Sequence, residues 1–286
     1  MLEQSLEALT YEGELYGLPL SFNVIALVCN GALVKTPPAN FVELIALGRR
    51  LNATKGIVPL LYDNRNFYYH APFFFGYGAS LFDRDGKCVV DSRESIASVE
   101  FSMGLERDGI VAPRANHSAV LNLFCSGRVA MVITGPWDLE RMKSCGIDVK
   151  VAPIPRLARG ELARPFLGVK AIALTSFSRH PNEARAFMQH LVSTSAQSRA
   201  MEELSLLPCA IEVYESRAVD GNSDAFLRQA KRSVAMPNGE EMAEVWQQMN
   251  WALDRCFARE EEPEFFLQQV SNLIDAHISR RKGRMP

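Results

Sequence analysis

Short apolar runs alternate along this chain with stretches whose apolar residues recur every three or four positions, the pattern of strands and amphipathic helices in turn. Residues 15–20 and 24–30 read as two short strands, with Ser21-Phe22-Asn23 as a polar interruption between them. Phe41, Leu44, Ile45, Leu47 and Leu51 repeat at helical spacing, and Asn40 with Glu43 supplies a capping pattern at the start of that helix. Residues 58–62 form a further short strand, residues 67–76 a buried aromatic helix, and residues 82–90 a hairpin turning at Gly86. Helices over 95–107 and 118–125 follow, the second closed by Gly127. Residues 129–134 are an unbroken apolar run, hence a buried strand, ended by Gly135-Pro136-Trp137. The prolines in 149–155 mark an edge strand, and 166–174 reads as a buried one. From Pro181 onward the pattern is helical: 181–192, 195–204, 224–233, 239–257 and 263–280. Strands alternating with helices over the first two thirds argue an α/β fold, with the helical tail packed outside the sheets.

The Trp137 segment offers the first chemical hint. A broad apolar ring thrust out where a strand ends is a platform for a sugar, whose ring faces are apolar and whose edge is lined by hydroxyls. The alternative is a core tryptophan covering the start of the next helix.

Composition narrows the rest. The 286 residues are 48% hydrophobic and 22% charged with a net charge of −2, which gives no reason to expect nucleic acid or an anionic membrane as partner. Arg280 to Arg284 read as a solvated basic terminus. The six cysteines form no C-x-x-C pair, and no histidine stands at zinc-ligand spacing. Cys29 and Cys125 lie in apolar surroundings, where a free thiol behaves as a small hydrophobe; an even count permits disulfides, but the irregular spacing of the six does not argue for them. The first residues lack the basic and apolar regions of a signal peptide. The longest apolar stretch, 71–82, is interrupted by Gly76 and Gly78 and is too short to span a bilayer.

Tests for catalysis return little. There is no nucleophile elbow and no phosphate-binding loop, and Gly76-x-Gly78 lacks the third glycine and the preceding strand of a dinucleotide site. Asp83-x-Asp85-Gly86 fails the calcium-loop register. The five histidines (70, 117, 180, 190 and 277) show no partner pattern, and the glutamate runs at 202–203, 240–241 and 260–262 read as solvated helix ends. No metal or cofactor is indicated, and the chain is read as a non-enzyme.

Several segments taken in order resemble one family. Tyr11-Glu12-Gly13-Glu14-Leu15-Tyr16-Gly17-Leu18-Pro19-Leu20, Gly127 through Trp137, Arg164-Pro165-Phe166-Leu167-Gly168-Val169, Pro181-x-x-x-Arg185-Ala186-Phe187, and Met236-Pro237-Asn238 with Val245-Trp246 look like the extracellular sugar-binding proteins of ABC importers, the maltose-binding-protein-like family. Each motif alone is weak; the ordered set over nearly the whole chain is fairly specific. The resemblance implies a two-lobe periplasmic binding protein type II fold, with one lobe incomplete at the N-terminus. Residues 1–21 and 168–222 would belong to the N-terminal lobe, and 22–167 with 223–286 to the C-terminal lobe. In the family the segment like 11–19 lies well inside the mature protein, so Met1 is expected to be an internal start, and the chain alone is expected to bind sugar weakly or not at all. The parent protein would be periplasmic or lipid-anchored outside the cytoplasm. It would act as a monomer, capture a mono- or oligosaccharide between hinged lobes and deliver it to the importer's membrane permease.

Carried over residue by residue, the resemblance makes Trp137, Trp246 and Tyr68 stacking aromatics, with Tyr69 beside them, Gly135 at the strand end and Met236 as an apolar wall. His117 stands where maltose-binding members have a sugar-contacting aromatic, and Asn23 and Asn66 stand where they have carboxylates. An asparagine still bonds hydroxyls but brings donors and loses charge, which puts maltodextrin as the ligand in doubt. Core packing is the competing role for Trp246 and Tyr68, and helix capping for Asn66. Two other functional readings stay open. A carbohydrate-active enzyme needs an acid or base in a perturbed environment; a remnant without ligand needs an exposed apolar floor. The receptor reading requires Trp137, Trp246 and Tyr68 to converge.

Overall fold

The structure, a computed structural model of the chain, describes residues 1–53, 56–216 and 219–282. Helix α1 (Glu3–Glu7) leads into a small hairpin, β1 (Thr10–Tyr11) and β2 (Glu14–Leu15), whose turn places Glu12 and Gly13 at positive φ. Strands β3 (Leu18–Asn23) and β4 (Ala26–Asn30) follow with only Val24 and Ile25 between them, both fully buried. Then come α2 (Phe41–Asn52), β5 (Val58–Leu61), α3 (Phe67–Gly76), α4 (Arg93–Arg107), α5 (His117–Cys125) and β6 (Val129–Thr134). A short 3-10 turn (Pro136–Asp138) carries β6 into α6 (Leu139–Ser144), β7 (Val149–Ala152) and β8 (Phe166–Ile172). The remainder is α7 (Pro181–Leu191), α8 (Thr194–Leu204), β9 (Leu207–Pro208), α9 (Glu212–Glu215), α10 (Gly221–Ala230), β10 (Val234–Ala235), α11 (Met242–Ala258) and α12 (Pro263–Lys282).

Two four-stranded sheets organise these elements. One runs β5-β6-β4-β7, with β5 and β6 parallel and the other pairs antiparallel. The other runs β10-β8-β3-β9, with β10 parallel to β8. The chain passes directly from the second sheet to the first between Asn23 and Ala26, so the two sheets meet at that point.

The unbroken apolar runs have a clear physical origin. Along β4, Ala26 and Val28 face one core cluster with Val129, Val132 and Phe226, while Leu27 and Cys29 face another with Phe41, Leu44, Tyr62 and Phe73. A strand covered on both faces has no solvent-facing register, so every position of β4 before its terminal Asn30 is apolar. A third cluster joins α3 to the helical tail: Phe67, Phe74 and Phe166 pack with Val245, Met249, Leu253 and Leu267. Capping at α2 follows the predicted pattern, with Asn40 Oδ1 accepting from the Glu43 amide and the Glu43 carboxylate accepting from the Ala39 amide and Asn40 Nδ2.

Four local readings are corrected. Ser21-Phe22-Asn23 is not an interruption but the end of β3, and the break between strands falls on apolar Val24-Ile25, because the change of sheet occurs inside the core. The hairpin at 82–90 reduces to a single bridge between Phe82 and Cys88, held by Asp83 accepting from the amides of Asp85 and Lys87. Strand β8 is buried only at its start, with Lys170 and Ala171 exposed. Cys125 is not a free thiol: it is disulfide-bonded to Cys145, with a Cα–Cα distance of 5.5 Å, tying the end of α5 to the end of α6. Cys29 is buried, and burial pushes its thiol up to about 12. Among the described residues no helix is long and apolar enough to cross a membrane.

Candidate functional site

At the end of β6, Gly135 releases the chain from the sheet, Pro136 starts the 3-10 turn, and Trp137 stands 45% exposed. The Trp137 ring centroid lies 6.4 Å from that of Tyr68, which in turn lies 6.5 Å from that of Trp246. The three rings thus touch in succession, although they come from the 3-10 turn after β6, from α3 and from α11. Trp246 is anchored from behind by Phe67 at 5.7 Å and Phe166 at 5.3 Å. The core role weighed for Trp246 is thus met on one side of a half-buried ring. Burial pushes the Tyr68 phenol up to about 12.

The start of α3 is fixed by two asparagines. Asn66 Oδ1 accepts from the Tyr68 amide at 2.9 Å, and Asn250 Oδ1, from α11, accepts from the Phe67 amide at 2.7 Å. Asn66 is thus a helix cap, and its side chain also bonds Asp63. Burial raises the Asp63 carboxyl despite bonds from the Arg65 and His117 amides and from Asn66. That carboxylate is engaged by its own loop.

Beside the three rings lies a polar relay. Tyr69 Oη is 3.0 Å from His117 Nδ1, and the two rings stack at 6.3 Å and 29°. His117 Nε2 is 3.3 Å from Asp138 Oδ1, and the Thr134 hydroxyl donates to Asp138 Oδ2. His117 therefore has partners that the scatter of histidines in the sequence did not show. His70, fully buried, also bonds Ser98 and Ser102, and His277 pairs with Glu244. Asp138, Asp63 and Asn250 were missed by sequence reasoning; only Asp138, next to Trp137, stood where a local motif could have drawn attention to it.

Asn23 ends β3, an interior strand of the second sheet, and Met236 directly follows its edge strand β10. Asn23 pairs with Gly168 across β3 and β8, and a β-carbon at 168 would lie 3.9 Å from both Asn23 Cβ and the Met236 methyl. Asn23 and Trp137 line an open cavity of about 720 Å³ together with Lys143, Lys170, Ser205 and Asp220. Tyr68, Tyr69, Trp246, His117, Asn66 and Met236 do not line it. Trp137 is thus shared between the group of three rings and the cavity. No group of three or more His, Cys, Asp or Glu side chains among the described residues is placed to hold a metal ion.

This mixed α/β fold of two connected sheets is that of solved sugar-binding proteins. A cyclo/maltodextrin-binding protein crystallised with maltotetraose superposes with a TM-score of 0.89 at 29% identity, over 96% of this chain and 74% of that one. The extracellular solute-binding protein from Staphylococcus aureus in complex with maltose gives 0.88 at 27%, over 97% and 75%. Residues 2–226 match the family described as bacterial extracellular solute-binding protein, and the chain belongs to it. Among curated relatives, the maltodextrin-binding protein MdxE of Bacillus subtilis is 24% identical over 85% of this chain, and a maltooligosaccharide ABC transporter solute-binding lipoprotein of Streptococcus pneumoniae is 25% identical over 95%. The chain spans 62% of the first relative's length and 67% of the second's.

Proposed function

We propose that this chain belongs to the receptor component of an ABC sugar importer, with Trp137, Tyr68 and Trp246 as the platform on which an oligosaccharide lies. The observation that carries this reading is the convergence of those rings, from three separate elements, beside the junction of the two sheets. Relatives named for maltodextrin and maltooligosaccharides support an α-glucan as ligand. Asn23 and Met236, on the second sheet, would add contacts beside these rings. Residues 22–167 with 223–286 form one lobe in this reading and carry all of these contacts, while 1–21 with 168–222 belong to the other, which hinge motion would bring over the sugar. The protein works outside the cytoplasm as a monomer without catalysis, handing its cargo to a membrane permease.

Titration of maltotetraose followed by tryptophan emission tests the proposal. A weak, saturable change, lost in Trp137→Ala, is expected. No response to maltotetraose or to a panel of other oligosaccharides overturns the receptor reading, and micromolar binding overturns the expectation of weakness.

A further inference from the structure

Both ring nitrogens of His117 are committed, and the arrangement dictates where the protons lie. The Asp138 carboxylate, 3.3 Å from Nε2, carries negative charge and only accepts, so it disfavours a lone pair on Nε2 and draws the imidazole proton to that nitrogen. The second Asp138 oxygen is filled by the Thr134 hydroxyl, and the Asp138 side chain is 7% exposed, which leaves no solvent to substitute for either partner. A neutral imidazole protonated at Nε2 has an acceptor at Nδ1, so the Tyr69 hydroxyl must donate to it. Burial first, and then the charge of Asp138 with Tyr68 and Asp63 nearby, raises the Tyr69 phenol against a smaller lowering by a hydrogen bond with Thr134, so the phenol keeps the proton it donates. The relay runs in one direction, Tyr69 to His117 to Asp138, and Asp138 is its sink.

We propose that Asp138 is a positioning residue for the platform: it fixes the His117 tautomer and, through it, turns the Tyr69 proton inward. His117 then meets a ligand as a flat ring with no free nitrogen, and the Tyr69 oxygen is left with acceptor capacity alone. What the platform meets rests on the sugar-receptor reading; the tautomer does not. The side chain of His117 is 39% exposed and stacks on Tyr69, which meets Tyr68 edge-on, so its open face lies beside the rings of the platform and not in their line. An unrestrained histidine would present a donor or acceptor that changes with each tautomer, and it would have to be desolvated when a sugar ring lies on it.

The test is made first without ligand. Long-range ¹H–¹⁵N spectra of the histidine-labelled chain at pH 7.5 are expected to show His117 as the Nε2–H tautomer. Asp138→Ala is expected to release it to a mixture of tautomers. Tyr69→Phe keeps the acceptor partner of Nε2 and is expected to retain the tautomer while shifting the Nδ1 resonance, which has lost its donor. An Nδ1–H or doubly protonated ring in the unsubstituted chain, an unchanged tautomer in Asp138→Ala, or an unmoved Nδ1 resonance in Tyr69→Phe each overturns the proposal. Should Asp138→Ala fail to fold, the spectrum of the unsubstituted chain and Tyr69→Phe still decide it. Maltotetraose titration of the same proteins is then expected to show at least about tenfold weaker binding for Asp138→Ala; unchanged binding overturns the ligand-facing part. Absence of any sugar binding to the unsubstituted chain refutes the receptor reading and leaves the tautomer result standing.

Discussion

The indole of Trp137 folds back across the backbone of Gly135, so closely that a β-carbon at 135 would fall inside the ring. Gly135 has an ordinary negative φ, so it is the approach of the ring and not the backbone conformation that requires glycine. A strand end and an exposed aromatic two residues later are thereby locked into one unit, and the direction of the platform is set by the residue with no side chain.

Gly135→Ala is expected to displace Trp137 and destabilise the protein by about 1–3 kcal/mol, the usual range for overpacking. Urea unfolding checks the magnitude. In the Trp137→Ala background the same substitution is expected to be almost neutral, since the clashing partner is gone; an equal loss in both backgrounds would show that some other contact restricts position 135.

Asn66 separates capping from ligand contact. Asn66→Ala is expected to cost about 1 kcal/mol through the lost bond to the Tyr68 amide. Asn66→Asp keeps the cap acceptor and is expected to leave that bond intact, but it sets a second carboxylate against Asp63. Chemical denaturation of both variants beside maltotetraose titration makes the distinction: a sugar-affinity change in Asn66→Asp without a helix-capping defect supports a role beyond the cap.

The disulfide between Cys125 and Cys145 closes a loop of 20 residues that begins in α5 and ends after α6, and so contains Trp137 and Asp138. Its reduction, or the Cys125→Ala/Cys145→Ala pair, is expected to lower stability by about 2–4 kcal/mol. The unfolding midpoint with and without reductant reads this directly, and no difference would show that the two thiols are unbonded in solution.

His70 makes stability acid-sensitive. It is fully buried between Ser98 and Ser102, and burial pushes its imidazole down to about 3 from an ordinary 6.5. The unfolded chain therefore binds a proton that the folded chain refuses. The contribution is complete above pH 6.5 and is lost as pH falls from there toward 3, with a slope of at most about 1.4 kcal/mol per pH unit. Unfolding midpoints at pH 7.5, 6, 5 and 4 are expected to fall less steeply in His70→Asn than in the unsubstituted protein; parallel curves would remove His70 from the account.

Much of the fold was readable because burial on both sides leaves a local mark. The runs at 26–30 and 129–134 are strands for the reason the pattern suggested: layers on each face exclude water from every position. The cap at Asn40 and the helix stop near Gly127 were legible because they depend on residues three or four apart. The hairpin at 82–90 was overdrawn, since a loop hydrogen-bonded to Asp83 carries the same turn residues as a true hairpin. The break in the first strand pair was misplaced because a crossover between sheets inside the core is apolar, and an apolar break is invisible to a pattern of polarity.

The sequence by itself determined the strand and helix spacing, the glycine-to-tryptophan strand end and the order of segments that marks the family, because each is written in neighbouring residues. Only the tertiary structure decided that Trp137, Tyr68 and Trp246 come together, that His117 meets Asp138 and Tyr69, and that Cys125 finds Cys145. Those partners lie from 20 to more than 100 positions apart. Their proximity follows from how the strand junction and the helices around it pack, a geometry that no local spacing encodes.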